Sequence, residues 1–197
     1  RKLIKSKNFL KLLNDKDSLE LIEIIFPQLK KLDRLKKLTS YTFENFINLD
    51  FIFIMSLLVI DGTDNTDYFI YKFNISKKDQ KRIKLIELFY KEKVTSKSFN
   101  EKNLNKILYF HGKQAVIDIV NFKLFTSNKV EKNLLKILHL FKNREIPIIP
   151  TSANDLMLKY NIPEGRSLGN KMKMIEELWV QNGFIITEKQ IEKIAKN

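Results

Sequence analysis

The sequence predicts an all-α protein, an irregular array of about nine or ten helices with no significant sheet. Three observations lead there. Apolar side chains recur at spacings of three and four, while sustained alternation is scarce. Only five glycines and four prolines punctuate the 197 residues, too few for a succession of short strands and tight turns. Finally, a Ser, Thr, Asp or Asn repeatedly stands three residues ahead of an acidic or amide side chain, a spacing at which each can satisfy a free N–H of the other's turn.

Taken in order, Asp17-x-x-Glu20 opens a segment whose apolar positions Leu19, Leu21, Ile22, Ile24 and Ile25 run to the stop at Pro27. Leu49–Ile60 is nearly all apolar but contains Asp50. A bilayer span needs roughly twenty apolar residues, so this shorter run reads as a buried helix. Asp61–Asp67 places three aspartates close together, yet it lacks the EF-hand spacing and terminal Glu and reads as a surface loop. Ser76-x-x-Asp79 precedes Ile83, Leu85, Ile86, Leu88 and Phe89, and Ser98-x-x-Glu101 precedes Leu104, Ile107, Leu108, Val116, Ile119 and Val120. Asn128-x-x-Glu131 leads into Leu134, Leu135, Ile137, Leu138 and Phe141. Ile146–Ile149 imitates a strand, but two prolines accompany it and no partner strand is evident. Ser152-x-x-Asp155 and Thr187-x-x-Gln190 repeat the capping device near the end, where Asp155 serves as the partner of Ser152.

With 44% hydrophobic and 30% charged residues, the chain can bury a core as one domain or two small ones. Cysteine is absent, which excludes disulfides and thiolate metal sites and fits a reducing, cytoplasmic compartment. The basic start Arg1-Lys2-Leu3-Ile4-Lys5 is not followed by the apolar stretch of a signal peptide, and no membrane span is expected. The chain begins at Arg1 without a methionine, so a further segment upstream is expected.

The net charge of +13, from 36 basic against 23 acidic residues, points to a polyanionic partner. A second explanation stands beside it. The abundance of Lys, Ile and Asn is what a strongly AT-biased genome produces, and such drift adds lysines without any partner. Residues 151–197 hold seven basic and six acidic side chains, so the excess belongs to the first three quarters. Candidate RNA contacts are Lys77, Lys78, Lys81 and Arg82 at one helix start, Lys113 in the His-Gly-Lys turn, and Arg166, Lys171 and Lys173 beside Gly165 and Gly169. Gly165-x-x-x-Gly169 opens a helix whose free N–H groups can hold a phosphate, but close packing of the two glycines against a neighbour, with positive φ at Gly165, is the favoured reading. Trp179, between Leu178 and Val180 on an amphipathic helix, reads as core rather than as a stacking platform.

Enzymatic machinery is not found. Asp15-Lys16-Asp17 is the one Asp-x-Asp pair, and it lies between helical segments without the strand and turn of a two-metal site. Gly112-Lys113 lacks the earlier glycine of a phosphate loop and the Ser or Thr that must follow. His111 and His139 are isolated, with His111 a candidate for RNA contact and structural roles favoured for both. There is no Gly-x-Ser-x-Gly and no cysteine nucleophile.

The chain does resemble a family. Phe9-Leu-Lys-Leu-Leu13 through Ile25-Phe-Pro-Gln-Leu29, the apolar Leu49–Ile60, Phe73–Ile83, and Tyr109-Phe-His-Gly-Lys-Gln-Ala-Val-Ile-Asp118 follow in the order of elements seen in class II tRNA nucleotidyltransferases. These are the CCA-adding enzymes and their bacterial poly(A) polymerase relatives. Asn154-Asp-Leu-Met157, Pro163-x-Gly165-x-x-x-Gly169, Trp179 and Gly183-Phe184 are similar to that family's tail. Ala153 and Arg166 depart from it, standing where relatives usually have Gly and often have Pro. The family's Gly-Gly-x-Val-Arg-Asp element, its metal-binding Asp-x-Asp and most of its Glu-Asp-x-x-Arg template are missing. The resemblance therefore implies the end of a helical neck over 1–48, a body over 49–145 and a tail over 146–197. It also implies tRNA as partner, held at the acceptor and T-arm through its backbone, and a chain inactive alone. No cofactor is expected in this chain, since Mg and CTP or ATP would belong to a catalytic head elsewhere, including one on a separate chain. The alternative is a helical interaction scaffold or decayed remnant without RNA affinity.

Overall fold

The computed structural model describes residues 3–4, 6–92 and 99–196, which form thirteen α-helices and no strand. In order they are α1 (Lys7–Leu12), α2 (Lys16–Ile25), α3 (Asp33–Lys36), α4 (Ser40–Asn45), α5 (Phe51–Val59), α6 (Asn65–Lys72) and α7 (Lys77–Lys91). Then come α8 (Glu101–His111), α9 (Lys113–Thr126), α10 (Lys132–Asn143), α11 (Ala153–Tyr160), α12 (Arg166–Gln181) and α13 (Glu188–Lys196). The all-α expectation holds, and the single-turn elements α1, α3 and α4 are those that apolar periodicity resolves least well.

Helix α5 lies at the centre of the larger core. Every residue from Phe53 to Ile60 is buried, so this helix has no solvated face and its polar termini must be satisfied from inside the protein. At its start the Asp50 carboxylate accepts from Phe53 N (3.1 Å). At its end three elements supply donors. Arg34 Nη1 reaches the carbonyls of Leu57 and Ile60, both at 2.7 Å. Asn65 Nδ2 donates to Val59 O (2.8 Å) and to Gln28 O (2.9 Å), and Lys31 N donates to Leu58 O (2.9 Å). The Arg34 guanidinium also lies over the rings of Tyr90 and Phe122, 5.1 and 5.3 Å from their centroids. Its burial pulls its pKa down, with Tyr90 and Asp33 working against that shift.

Helix α9 is the second organiser, packing against α5, α7, α8 and α10. It buries Ala115, Val116, Ile119, Val120, Phe122, Leu124 and Phe125, so little of its circumference meets water. A smaller core gathers Leu156, Leu168, Ile175 and Ala195 from α11, α12 and α13, with Ile162 from the turn between α11 and α12. Helix α12 joins the two: Leu168 and Ile175 belong to the smaller cluster, Trp179 and Val180 to the larger.

Trp179 is core, as expected, being 1% exposed and edge-on to Tyr109 (5.7 Å) and Phe184 (5.0 Å). The turn after α12 requires positive φ at both Gly183 (+72°) and Phe184 (+70°). An aromatic residue rarely adopts that conformation, and here the Trp179 contact and the hydrogen bond from Phe184 N to Trp179 O (2.9 Å) hold it. Tyr109 OH donates to Glu176, which fastens α8 to α12 and pushes the phenol up to about 12.

The capping pattern is correct at Ser76, Ser152 and Thr187. Ser152 and Asp155 form a reciprocal box, and Thr187 and Gln190 do the same. Two starts differ from expectation. Helix α2 is capped by Asp15, whose carboxylate accepts from Ser18 N (2.9 Å), which leaves Asp17 inside the first turn. Helix α10 begins at Lys132, because the Glu131 carboxylate is engaged by Ser127 Oγ (2.9 Å) instead of reaching back to Asn128. Ser98 lies outside the described residues, and α8 is capped by Asn100. The strand imitation Ile146–Ile149 is extended chain without a partner, and Ile148 is almost fully exposed. In Asp61–Asp67, Asp61 Oδ1 accepts from Thr63 N (2.9 Å) and Oγ1 (2.7 Å), closing a local turn that leads into α6.

Replacing Arg34 with Ala should lower the unfolding free energy by about 3 kcal/mol, since two buried carbonyls lose a charged donor. Urea titration followed by circular dichroism measures this, and a loss below about 1 kcal/mol would contradict the role given to Arg34. Tyr109 gives a pH test. Its folded pKa is raised, so the stability that it contributes is complete below the unfolded value of 10.0 and is lost as pH rises through about 12. A tyrosinate absorbance titration should therefore show one late-ionising phenol that disappears in Tyr109→Phe.

Candidate nucleic-acid interface

Three helix ends meet at one open cleft of about 850 Å³. Its walls come from the start of α7 (Lys77, Lys78, Lys81, Arg82), the end of α8 (Phe110, His111) and the start of α9 (Gln114, Ala115, Asp118), with Asp50 ahead of α5. Leu85 and Ile86 contribute apolar surface.

The α7 start exists because Ser76 caps it, its Oγ accepting from Asp79 N (3.2 Å) and donating to Asp79 Oδ2 (2.8 Å). Residues at i, i+1 and i+4 share one side of a helix, which places Lys77, Lys78 and Lys81 together. All three are exposed, and among the described residues none is within ion-pair distance of a carboxylate.

Arg82 does something different. Its Nε and Nη2 donate to the two oxygens of buried Asp118 (2.8 and 2.9 Å), and its Nη1 and Nη2 donate to Asp50 (3.2 and 2.8 Å). Gln114 Nε2 completes the set by donating to Asp118 Oδ1 (2.8 Å). Burial opposes the guanidinium charge, but the two carboxylates outweigh it and raise Arg82 above its ordinary value. Asp50 is pulled the other way: burial raises it, and Arg82 with the N–H of Phe53 brings it below the usual carboxylate range. For Asp118 burial dominates, pushing it up despite Arg82 and Gln114. Arg82 thus ties α5, α7 and α9 together, and its charge is matched locally.

The remaining expected contacts lie elsewhere. Lys113 is exposed one residue before Gln114 and is not among the residues lining the cleft. Gly165 caps α12 at φ +145°, a conformation that favours glycine, as its reading as a positive-φ position anticipates. Gly169 is not a packing glycine, because a Cβ there would meet nothing within 4 Å. Arg166 and Lys173 are exposed on α12, and none of these tail residues lines the cleft. Lys171 has a structural partner: its Nζ donates to the carbonyls of Ile194 (3.2 Å) and Ala195 (2.9 Å), closing the last turn of α13.

The cleft also holds residues that sequence reasoning passed over. Phe110 is 56% exposed on its wall, and Gln114 fixes Asp118. The one sequence signal for Phe110 is its place beside His111 at the end of an amphipathic helix. Of the Asp-x-Asp pair, Asp15 is used as a cap, and among the described residues no group of three or more His, Asp or Glu is placed to hold a metal. Nor is any helix among them long and apolar enough to cross a membrane.

Compared with protein-family models, curated proteins and solved structures, the chain finds no match.

Arg82→Ala should destabilise the fold by about 3–5 kcal/mol, because it leaves the Asp118 carboxylate buried without its counter-charge. Combining Arg82→Met with Asp118→Leu should recover at least half of that loss, as a double-mutant cycle by chemical denaturation would show. Additive losses would mean that the pair is not coupled.

Proposed function

We propose that this chain is the RNA-binding part of a tRNA nucleotidyltransferase or poly(A) polymerase-like protein, and that it positions tRNA at the acceptor and T-arm. Contacts run through the phosphate backbone, with Lys77, Lys78 and Lys81 as the main cations, Lys113 as a further one, and Arg166 and Lys173 as a separate group on the tail. Nucleotide transfer, with its Mg and CTP or ATP, belongs to a catalytic head that is not part of these residues. One observation carries the reading: three neighbouring lysines are left without carboxylate partners at a cleft whose fourth cation, Arg82, is fully matched. The ordered likeness to the nucleotidyltransferase body and tail supplies the substrate class.

A second reading, a helical scaffold held by a protein partner, is favoured by α2. No residue of that helix is buried, and Leu21, Ile24, Ile25 and the following Phe26 are exposed.

Binding of the chain to tRNA lacking its CCA end, with a DNA duplex of similar charge as competitor, separates the two. On the RNA reading tRNA survives the competitor at near-physiological salt. Changing Lys77, Lys78 and Lys81 together to Gln should then weaken binding and reduce the slope of log K against log salt by about 2–3, given roughly 0.7–0.9 per phosphate contact. Binding that vanishes with salt, or follows charge alone, sinks the RNA reading.

A further inference from the structure

We infer that the cleft between α7, α8 and α9 takes an unpaired nucleotide, with its base stacked on Phe110 and its flanking phosphates on Lys77, Lys78 and Lys81. The inference rests on the RNA reading and deepens it: the same site would hold a single-stranded or extrahelical nucleotide as well as a duplex backbone.

A lone exposed phenylalanine needs no explanation, so the argument comes from what surrounds this one. Phe110 lines the same cleft as the three unmatched lysines. The ring lies edge-on against Tyr109 with centroids 5.1 Å apart, and the residue is more than half exposed. Tyr109 is itself tied to Glu176 and Trp179, so the platform sits on a braced helix end. Leu85, Ile86 and Ala115 give the cleft an apolar portion, and the lysines and His111 give it a polar one. An apolar wall beside a cationic one is the arrangement that accepts a base and its phosphates together. Among the described residues the carboxylates lining the cleft are Asp50 and Asp118, which share the single guanidinium of Arg82, so that group keeps one net negative charge and the three lysines outweigh it. The volume of about 850 Å³ lies within the roughly 300–1,000 Å³ of small-ligand sites and admits one nucleotide with its neighbouring phosphates.

Stacking and charge are separable by experiment. The full chain is titrated with a labelled short oligoadenylate and with a blunt RNA duplex carrying as many phosphates, and polyglutamate serves as an acidic competitor. Phe110→Ala should weaken oligoadenylate binding by about tenfold or more while changing duplex binding less than about twofold. Phe110→Trp should retain oligoadenylate binding and add an exposed indole whose fluorescence is quenched by the oligomer, distinguishable from buried Trp179. Urea denaturation should give Phe110→Ala nearly wild-type stability, because the residue is more than half exposed. If Phe110→Ala leaves oligoadenylate binding unchanged while Lys77→Gln with Lys78→Gln and Lys81→Gln weakens both RNAs, the stacking inference is overturned and the RNA reading stands. If polyglutamate displaces RNA charge for charge and neither variant matters, both fall.

Discussion

Burying a nine-residue apolar helix with no solvated face creates a demand that the rest of the molecule meets. Apolar side chains of α5 are easily accommodated, but the carbonyls at its end are not, because an unpaired buried carbonyl costs on the order of 1–3 kcal/mol. Arg34, Asn65 and the Lys31 N–H, drawn from both sides of the helix in sequence, converge on Leu57, Leu58, Val59 and Ile60. The irregular chain between α2 and α4, and the start of α6, are therefore placed by hydrogen-bond need as much as by apolar contact. Arg34 in turn requires rings to cover its guanidinium, and Tyr90 of α7 and Phe122 of α9 provide them. The α5 terminus thus fixes how two of the major helices approach.

The other end of α5 links the same framework to the cleft. Asp50 caps the helix through Phe53 N and also receives Arg82, which spans to Asp118 on α9. One basic run, Lys77-Lys-Asp-Gln-Lys-Arg82, therefore divides its work by helical phase. Arg82 turns inward and is neutralised, and Lys77, Lys78 and Lys81 stay outward and unmatched. A planar fork suits the inward task because it can serve two carboxylates at once, whereas a flexible ammonium is adequate for holding a phosphate.

Much of the fold was legible because its signals are local. Ser76, Ser152 and Thr187 cap helices where their spacing to Asp79, Asp155 and Gln190 says they should, and the Leu49–Ile60 run was readable as a buried helix from its length alone. Asp17 misled because the spacing rule asks for an acidic or amide partner three residues on, which Asp17 has in Glu20, whereas Asp15 caps α2 through Ser18 N without one. The Glu131 carboxylate was lost to Ser127, a competitor on the other side of the cap. At the candidate site, the lysines were visible as a charged helix start. The fate of Arg82 was not, since its partners lie 32 and 36 residues away. Lys171 is the same case in the tail: its partners are backbone carbonyls of α13, which carry no sequence signature at all.

The end of α8 connects the cleft with the tail. Tyr109 and Phe110 are consecutive, so the helix turns them about 100° apart. Tyr109 faces α12, where it meets Trp179 and Glu176, while Phe110 lines the cleft. Cleft and tail are therefore joined through one braced residue pair, yet the start of α12 does not come near it. From Arg166 to Glu176 the helix rises roughly 15 Å at about 1.5 Å per residue. Arg166, with Gly165 ahead of it, therefore stands about that far along the helix from the Glu176–Tyr109 contact. On the proposed RNA reading, a ligand the size of a nucleotide would meet the cleft alone, and a larger RNA would be needed to reach both the α7 lysines and the tail. Such a two-point grip would read the shape of an RNA more than its sequence, because the lysines and Arg166 would contact phosphate and stacking on Phe110 tolerates any base.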